Sequence, residues 1–224
     1  MAANGPATVA AILVAAGSGQ RLGADLPKAF CTVAGRTLLE HATGRFTAHA
    51  LVSTVVVVAP ASHLDDAVRL TGVVVVTGGA TRQESVAAGL AALGADADVV
   101  LVHDVARPFV PDSVIDAVIA AVVAGADGAV PVLPLHDTIR RIDAEGEFVE
   151  VVDRSTLVAV QTPQGFRAAA LRAAHEAGRD RAVTDDAGLI EAIGGRVVAV
   201  PGADESFKIT RPWDLTVAEA VAGG

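Results

Sequence analysis

The sequence predicts an α/β fold: a mostly parallel sheet with helices on both faces, interrupted by an inserted β-hairpin arm. Three observations lead there. Runs such as Thr54-Val55-Val56-Val57-Val58-Ala59 and Val73-Val74-Val75-Val76-Thr77 are short, β-branched and apolar throughout, like strands buried on both faces. They alternate with segments of helical character, and that alternation implies a parallel sheet. Between Thr138 and Val152, two extended runs flank a polar turn containing Asp143 and Gly146, which breaks the rhythm and reads as a hairpin. The architecture so predicted is Rossmann-like.

The elements follow in order. Residues 8–16 form a buried strand that Gly17, Ser18 and Gly19 stop. A helix is expected around 37–50, then strands at 54–59 and 73–77, the second ending at Gly78-Gly79. Thr81 caps a helix over 81–93, and Glu84 stands at the capping-box position. A strand at 98–103 precedes a helix over 111–124 that has Pro111 at its start. A strand at 128–132 leads into the hairpin. Helices over about 166–177 and 185–193, a strand at 196–200 and a helix from Pro212 complete the chain.

The 224 residues, 52% hydrophobic, suit one domain over 1–224 with a β-arm insertion at about 137–153. The formal net charge of -9 argues against a broad nucleic-acid surface, which needs clustered cations. Cys31 is the only cysteine, so no intrachain disulfide can form, which suits a reducing compartment. Residues 1–8 lack a basic signal region, and no apolar run approaches the ~20 residues of a membrane helix. The expected location is the cytoplasm, away from membranes.

Three stretches carry candidate chemistry. Ala15-Ala16-Gly17-Ser18-Gly19-Gln20-Arg21, with Pro27-Lys28 after it, offers glycine amides and two cations to a phosphate. Gly17, Gly19 and Gly23 are spaced one residue too long for a dinucleotide fingerprint, and no Gly-Lys-Ser/Thr follows for a P-loop. Asp104 lies just past a strand's carboxyl end, where α/β sheets place ligands, and its carboxylate suits Mg²⁺ or another divalent cation. Arg107 could grip a phosphate with two N–H groups, while His103 reads as a packed residue rather than a catalyst. Lys208 lies on an extended stretch before the last helix. Thr138, Arg154, Thr162 and Thr184 flank the hairpin or begin the elements after it, and hydroxyls with an Arg suit a polyol phosphate. Ser85, in the first turn after Gly78-Gly79, either caps its helix or meets a nucleotide.

These motifs resemble the 2-C-methyl-D-erythritol 4-phosphate cytidylyltransferase family of the non-mevalonate isoprenoid pathway. The resemblance runs from Ala10 to about Glu219. Besides the glycine loop it rests on Ser85-Val86-x-x-Gly89-Leu90, His103-Asp104-x-Ala106-Arg107-Pro108, Asp137-Thr138, Val152-Asp153-Arg154, Thr162-Pro163-Gln164, Thr184-Asp185-Asp186 and Phe207-Lys208-Ile209-Thr210. It implies that the acceptor phosphate attacks the α-phosphorus of CTP and releases pyrophosphate. By it, Arg21, Lys28, Arg154 and Lys208 are catalytic, and Asp104 holds the metal. Ala15, Ala16, Gly17, Ser18, Gly19, Gly79, Ser85 and Ala106 would bind the nucleotide. Arg107, Thr138, Thr162 and Thr184 would line the acceptor pocket. It further implies a homodimer through the β-arm, with Thr138 and Arg154 completing the neighbouring subunit's site. Val105 departs from the Ala common in the family, and Asp204 and Glu205 are alternative second metal ligands. Two other readings stand beside it. A related sugar-phosphate or molybdopterin nucleotidyltransferase would share the glycine loop but not the last motifs together. A non-catalytic nucleotide-binding regulator would have no need for Arg21, Lys28, Asp104 and Lys208 at once.

Overall fold

β1 (Val9–Val14) runs through the middle of the computed structural model, which describes residues 7–16, 26–179 and 185–223. Successive strand side chains point to opposite faces. Val9, Ala11 and Leu13 therefore enter one core while Ile12 enters another. Parallel to β1 on one side lies β4 (Val52–Ala59), followed outward by β5 (Val74–Thr77). On its other side lies β6 (Val99–Asp104), also parallel. Beyond β6 come β11 (Gln164–Arg167), β7 (Gly128–Pro134) and β10 (Val158–Val160), and β12 (Val197–Pro201) also pairs with β7. Among the described residues the result is an eight-stranded, mostly parallel sheet. A short hairpin of β2 (Thr32–Val33) and β3 (Arg36–Thr37) stands apart from it.

Helices cover both faces, which is why the strands could be apolar on both sides. The core with Leu13 and Leu101 takes side chains from α1 (Leu38–Ala48), α2 (Leu64–Thr71), α4 (Asp112–Val123) and α7 (Pro212–Gly223). The core with Ile12 and Val102 takes them from α3 (Arg82–Ala92), α5 (Ala168–Ala177) and α6 (Asp186–Ala192). Thr81 and Glu84 close a full capping box at the start of α3, worth ~1 kcal/mol.

The sequence reading is corrected at one stretch. Phe166 does not open a helix; it lies within strand β11, which is antiparallel to both neighbours, and α5 starts at Ala168. Gln-Gly-Phe-Arg has little strand propensity of its own. It is held there by tertiary fit: a Cβ on Gly165 would collide with Val118 of α4, and Phe166 is fully buried. Pairing with β6 and β7 thus overrides local preference. Strand β10 and helix α2 have no counterpart in that reading.

The chain order β1, β4, β5 proceeds outward on one side, then crosses back to β6 on the other side of β1. This reversal opens a crevice at the carboxyl ends of β1 and β6, the ligand position of open α/β sheets. β8 (Ile139–Ile142) and β9 (Phe148–Val152) form a separate two-stranded sheet. Its apolar side chains face solvent, Phe148 at 69% exposure and Val151 at 61%. Among the described residues, no helix is long and apolar enough to cross a membrane.

Candidate active site

Asp104 ends β6, opposite Val14 at the end of β1. Its Oδ2 accepts a hydrogen bond from Lys208 Nζ at 2.6 Å, and its Oδ1 accepts one from Arg82 Nε at 3.3 Å. Burial by itself would raise the carboxyl pKa. The Arg82 and Lys208 charges outweigh burial and hold it well below the usual carboxylate range. Asp104 is therefore ionised throughout the neutral region.

Its backbone is fixed from below. Asp104 N donates to Thr162 Oγ1 at 3.1 Å, Thr162 Oγ1 lies 3.1 Å from His103 Nδ1, and His103 Nε2 lies 3.0 Å from Arg107 O. A carbonyl only accepts, so Nε2 carries the imidazole proton and the Thr162 hydroxyl donates to the bare Nδ1. The resemblance places Thr162 among the residues of the acceptor pocket. The one proton of the Thr162 hydroxyl is given to His103, which leaves a lone pair that suits a polyol hydroxyl rather than a phosphate. His103 is fully buried, and burial pushes its pKa down to about 4. In the unfolded chain His binds a proton below about pH 6.5, while the folded ring resists until about pH 4. Its contribution to stability is thus complete above pH 6.5 and fades as the pH falls toward 4, by on the order of 3 kcal/mol. Urea unfolding from about pH 7 down to about pH 4.5 should show that decline; a flat profile would contradict a neutral buried His103.

The segment bearing Lys208 is pinned on several sides. Ile209 N donates to Ala106 O at 2.8 Å, and Lys28 Nζ donates to Ile209 O at 2.6 Å. Arg107 Nη1 donates to Ser206 O at 2.7 Å and its Nη2 to Val160 O at 3.1 Å. Gln161 bonds both the N and the O of Ala203. Ala106 and Arg107 therefore shape the site by holding Lys208 in place. The two-pronged phosphate grip expected of Arg107 meets terminal nitrogens that each already serve a carbonyl.

The turn after β5 is also built by side chains. Ser85 Oγ donates to Thr81 O and accepts from Gly79 N, while Glu84 accepts from Ala80 N. The amides of Gly79 and Ala80 are thus committed, and the turn can meet a ligand through its carbonyls. A Cβ on Gly78 would fall 2.6 Å from the Ala16 Cβ, so glycine here lets the turn pack against the end of β1. Ala15, buried beside it, donates its N–H to Val58 O. Gly17, Ser18, Gly19, Arg21 and Thr184 lie outside the described residues.

Arg82 is the residue the sequence reading missed. It links Asp104 to Asp186, whose carboxylate also meets His175 Nε2 at 2.8 Å. The signal was thin: a polar residue inside a capping box looks like solvent-facing first-turn charge. Thr138 and Arg154 lie instead at the base of the arm. Arg154 donates to His136 O and lines an open groove of about 460 Å³ with Val132, Leu135 and Leu157. Asp204 and Glu205 are exposed in a turn. Among the described residues, no three His, Cys, Asp or Glu side chains cluster to hold a metal. Asp104 alone fits a metal that takes most of its oxygens from substrate phosphates: its carboxylate is ionised, and two of about four lone-pair sites remain.

Comparison with known proteins agrees with this layout. Residues 9–223 match the family profile described as 2-C-methyl-D-erythritol 4-phosphate cytidylyltransferase. A protein of that name from Frankia casuarinae is 49% identical over 215 residues, covering 95% of this chain and 80% of the relative. One from Streptomyces avermitilis is 50% identical over 230 residues, covering 96% and 92%. The crystal structure of the Thermus thermophilus 2-C-methyl-D-erythritol 4-phosphate cytidylyltransferase superposes with a TM-score of 0.81 at 42% identity, covering 97% of this chain and 99% of that one. Identity near one half, sustained over at least 95% of this chain and 80% of each relative, together with the family profile, means that the chain belongs to the 2-C-methyl-D-erythritol 4-phosphate cytidylyltransferase family.

Proposed function

We propose that this chain transfers a cytidylyl group from CTP to 2-C-methyl-D-erythritol 4-phosphate, giving 4-diphosphocytidyl-2-C-methyl-D-erythritol and pyrophosphate, a step of isoprenoid precursor biosynthesis. The observation that carries the reading is the pairing of Lys208 with Asp104 at the carboxyl end of β6, with Lys28 bonded to the carbonyl of the next residue, Ile209, in a chain of this family. An acceptor phosphate oxygen bonds to the α-phosphorus of CTP while the bond from that phosphorus to the bridging oxygen breaks. The attacking oxygen is already anionic, so no general base is needed, and the neutral, buried His103 fits that. Lys28, with Arg21, stabilises negative charge gathering on the α-phosphate, and Lys208 orients the incoming phosphate, as does Arg154, at the base of the arm, in the site of a second copy. The nucleotide is assigned to Ala15, Ala16, Gly17, Ser18, Gly19, Gly79, Ser85 and Ala106, and the acceptor to Thr138, Thr162 and Thr184, with Arg107 serving it by holding the Lys208 segment. Mg²⁺ or another divalent cation, which would be held by Asp104, neutralises phosphate charge when bound. Pyrophosphate release that needs CTP and acceptor together tests this reading; release from CTP alone, or none, overturns it.

Arg154→Ala should raise KM for the acceptor by ~10–100-fold while KM for CTP stays within about twofold, since a charge-assisted phosphate contact contributes ~1.5–3 kcal/mol. A shift confined to CTP would put Arg154 on the nucleotide. The exposed apolar face of β8 and β9 supports a homodimer through this arm, because a lone two-stranded hairpin is marginal in water. Sedimentation over a dilution series reads it, and a monomer at every concentration removes the idea. The absence of an intrachain disulfide supports action in the cytoplasm.

A further inference from the structure

We propose that Arg82 is a positioning residue for this reaction: anchored by the buried pair Asp186 and His175, it fixes the carboxylate of Asp104. The inference rests on the cytidylyltransfer reading above. Five side chains form one line of alternating charge-bearing groups: Lys208, Asp104, Arg82, Asp186 and His175. The contacts are 2.6 Å, 3.3 Å, 2.6 Å and 2.8 Å in turn. Side-chain exposure is 40% at Lys208, 14% at Asp104 and 28% at Arg82, but only 1% at Asp186 and 7% at His175. The line thus starts at the candidate site and ends inside the protein, between helices α3, α5 and α6.

Asp186 has no part in the proposed chemistry, yet its carboxylate is buried. Burial alone would raise its pKa; the His175 hydrogen bond and the Arg82 charge hold it below the usual range, so it stays an anion. A buried carboxylate is costly unless paired. Its pairing is divided: Oδ1 faces His175 and Oδ2 faces Arg82 Nη1. That leaves Arg82 Nε for Asp104 Oδ1. A planar guanidinium presents fixed donors on different nitrogens and can span two carboxylates, which a single ammonium cannot do in the same geometry. Neighbouring Asp185 is itself fixed, by Gly188 N and Gln164 Nε2, so the start of α6 is a firm support. Arg82 therefore transfers the rigidity of the interior to the Asp104 carboxylate, and keeps Oδ2 facing Lys208. Outer partners of this kind typically matter by ~10–100-fold in metal affinity or activity.

The test compares wild type, Arg82→Gln, Arg82→Lys, Asp186→Asn and the Arg82→Gln/Asp186→Asn double variant. It records kcat and KM for both substrates, thermal unfolding, and Mn²⁺ affinity in the presence of CTP without acceptor. Arg82→Gln should lower kcat by ~10–100-fold with little change in either KM, and weaken Mn²⁺ binding in parallel. Arg82→Lys should fold like wild type yet recover little of kcat, and it carries the test if the Gln variant fails to fold. Asp186→Asn should lose less, and the double variant should be no worse in kcat than Arg82→Gln alone, because Asp186 acts through Arg82. Full kcat and Mn²⁺ affinity in either Arg82 variant, or losses that multiply in the double variant, would overturn the proposal. An inactive wild type would instead sink the cytidylyltransfer reading itself, so the two failures are told apart.

Discussion

Asp104→Asn should reduce turnover by on the order of 10²–10³-fold, the range seen when one preplaced electrostatic group is lost from a site. Asparagine keeps the shape but turns one acceptor oxygen into a donor. Whichever way the amide lies, an N–H faces either Lys208 or Arg82, which are both donors only. The proposed metal also loses its protein anion. Folding should suffer less than chemistry. Breaking a fully buried pair costs ~3–5 kcal/mol, but the Arg82 side chain is 28% exposed and that of Lys208 40%, so screening by water brings the expected cost to ~1–2 kcal/mol. Steady-state kinetics beside urea unfolding separates the two effects. A variant with near-normal kcat would remove Asp104 from the reaction.

Lys208→Ala should show the cleaner split, with kcat down by ~10²-fold or more and stability within ~1 kcal/mol of wild type. The backbone of that segment does not depend on the Lys208 side chain: Ile209 is fully buried, and carbonyls and amides on both sides are held by Ala106, Arg107, Lys28 and Gln161. The loss would therefore come from the missing cation and not from a displaced loop. If stability and kcat fell together, the segment would depend on the Lys208–Asp104 pair for its shape. Lys28 is a different case, because its Nζ bonds Ile209 O; truncating it removes a cation and also loosens the segment that positions Lys208.

The fold was legible where local pattern and tertiary role coincide. Val55 to Ala59 and Val99 to Val102 are apolar because both faces of their strands are covered, and the Thr81–Glu84 box is a purely local signal. β11 was not legible, since a Gln-Gly-Phe-Arg stretch becomes a strand only between β6 and β7. The site divides along the same line. Asp104 and Lys208 stood out by their places beside strand ends and recognisable motifs. Arg82 did not, because its partners lie 22 and 104 residues away and nothing near it in sequence announces them. Arg107 and Thr162 were found as polar residues near the site, but their hydrogen bonds to Ser206, Val160, His103 and Asp104 emerge only from the folded arrangement.

The most direct measurement is product identification by mass after incubation with magnesium and methylerythritol phosphate, with CTP, UTP, GTP and ATP offered in parallel. One product is expected, the cytidine diphosphate derivative of the acceptor, formed with CTP and accompanied by an equal amount of pyrophosphate. A product built on another base, or none from CTP in protein that folds and binds it, would contradict cytidylyl transfer to this acceptor.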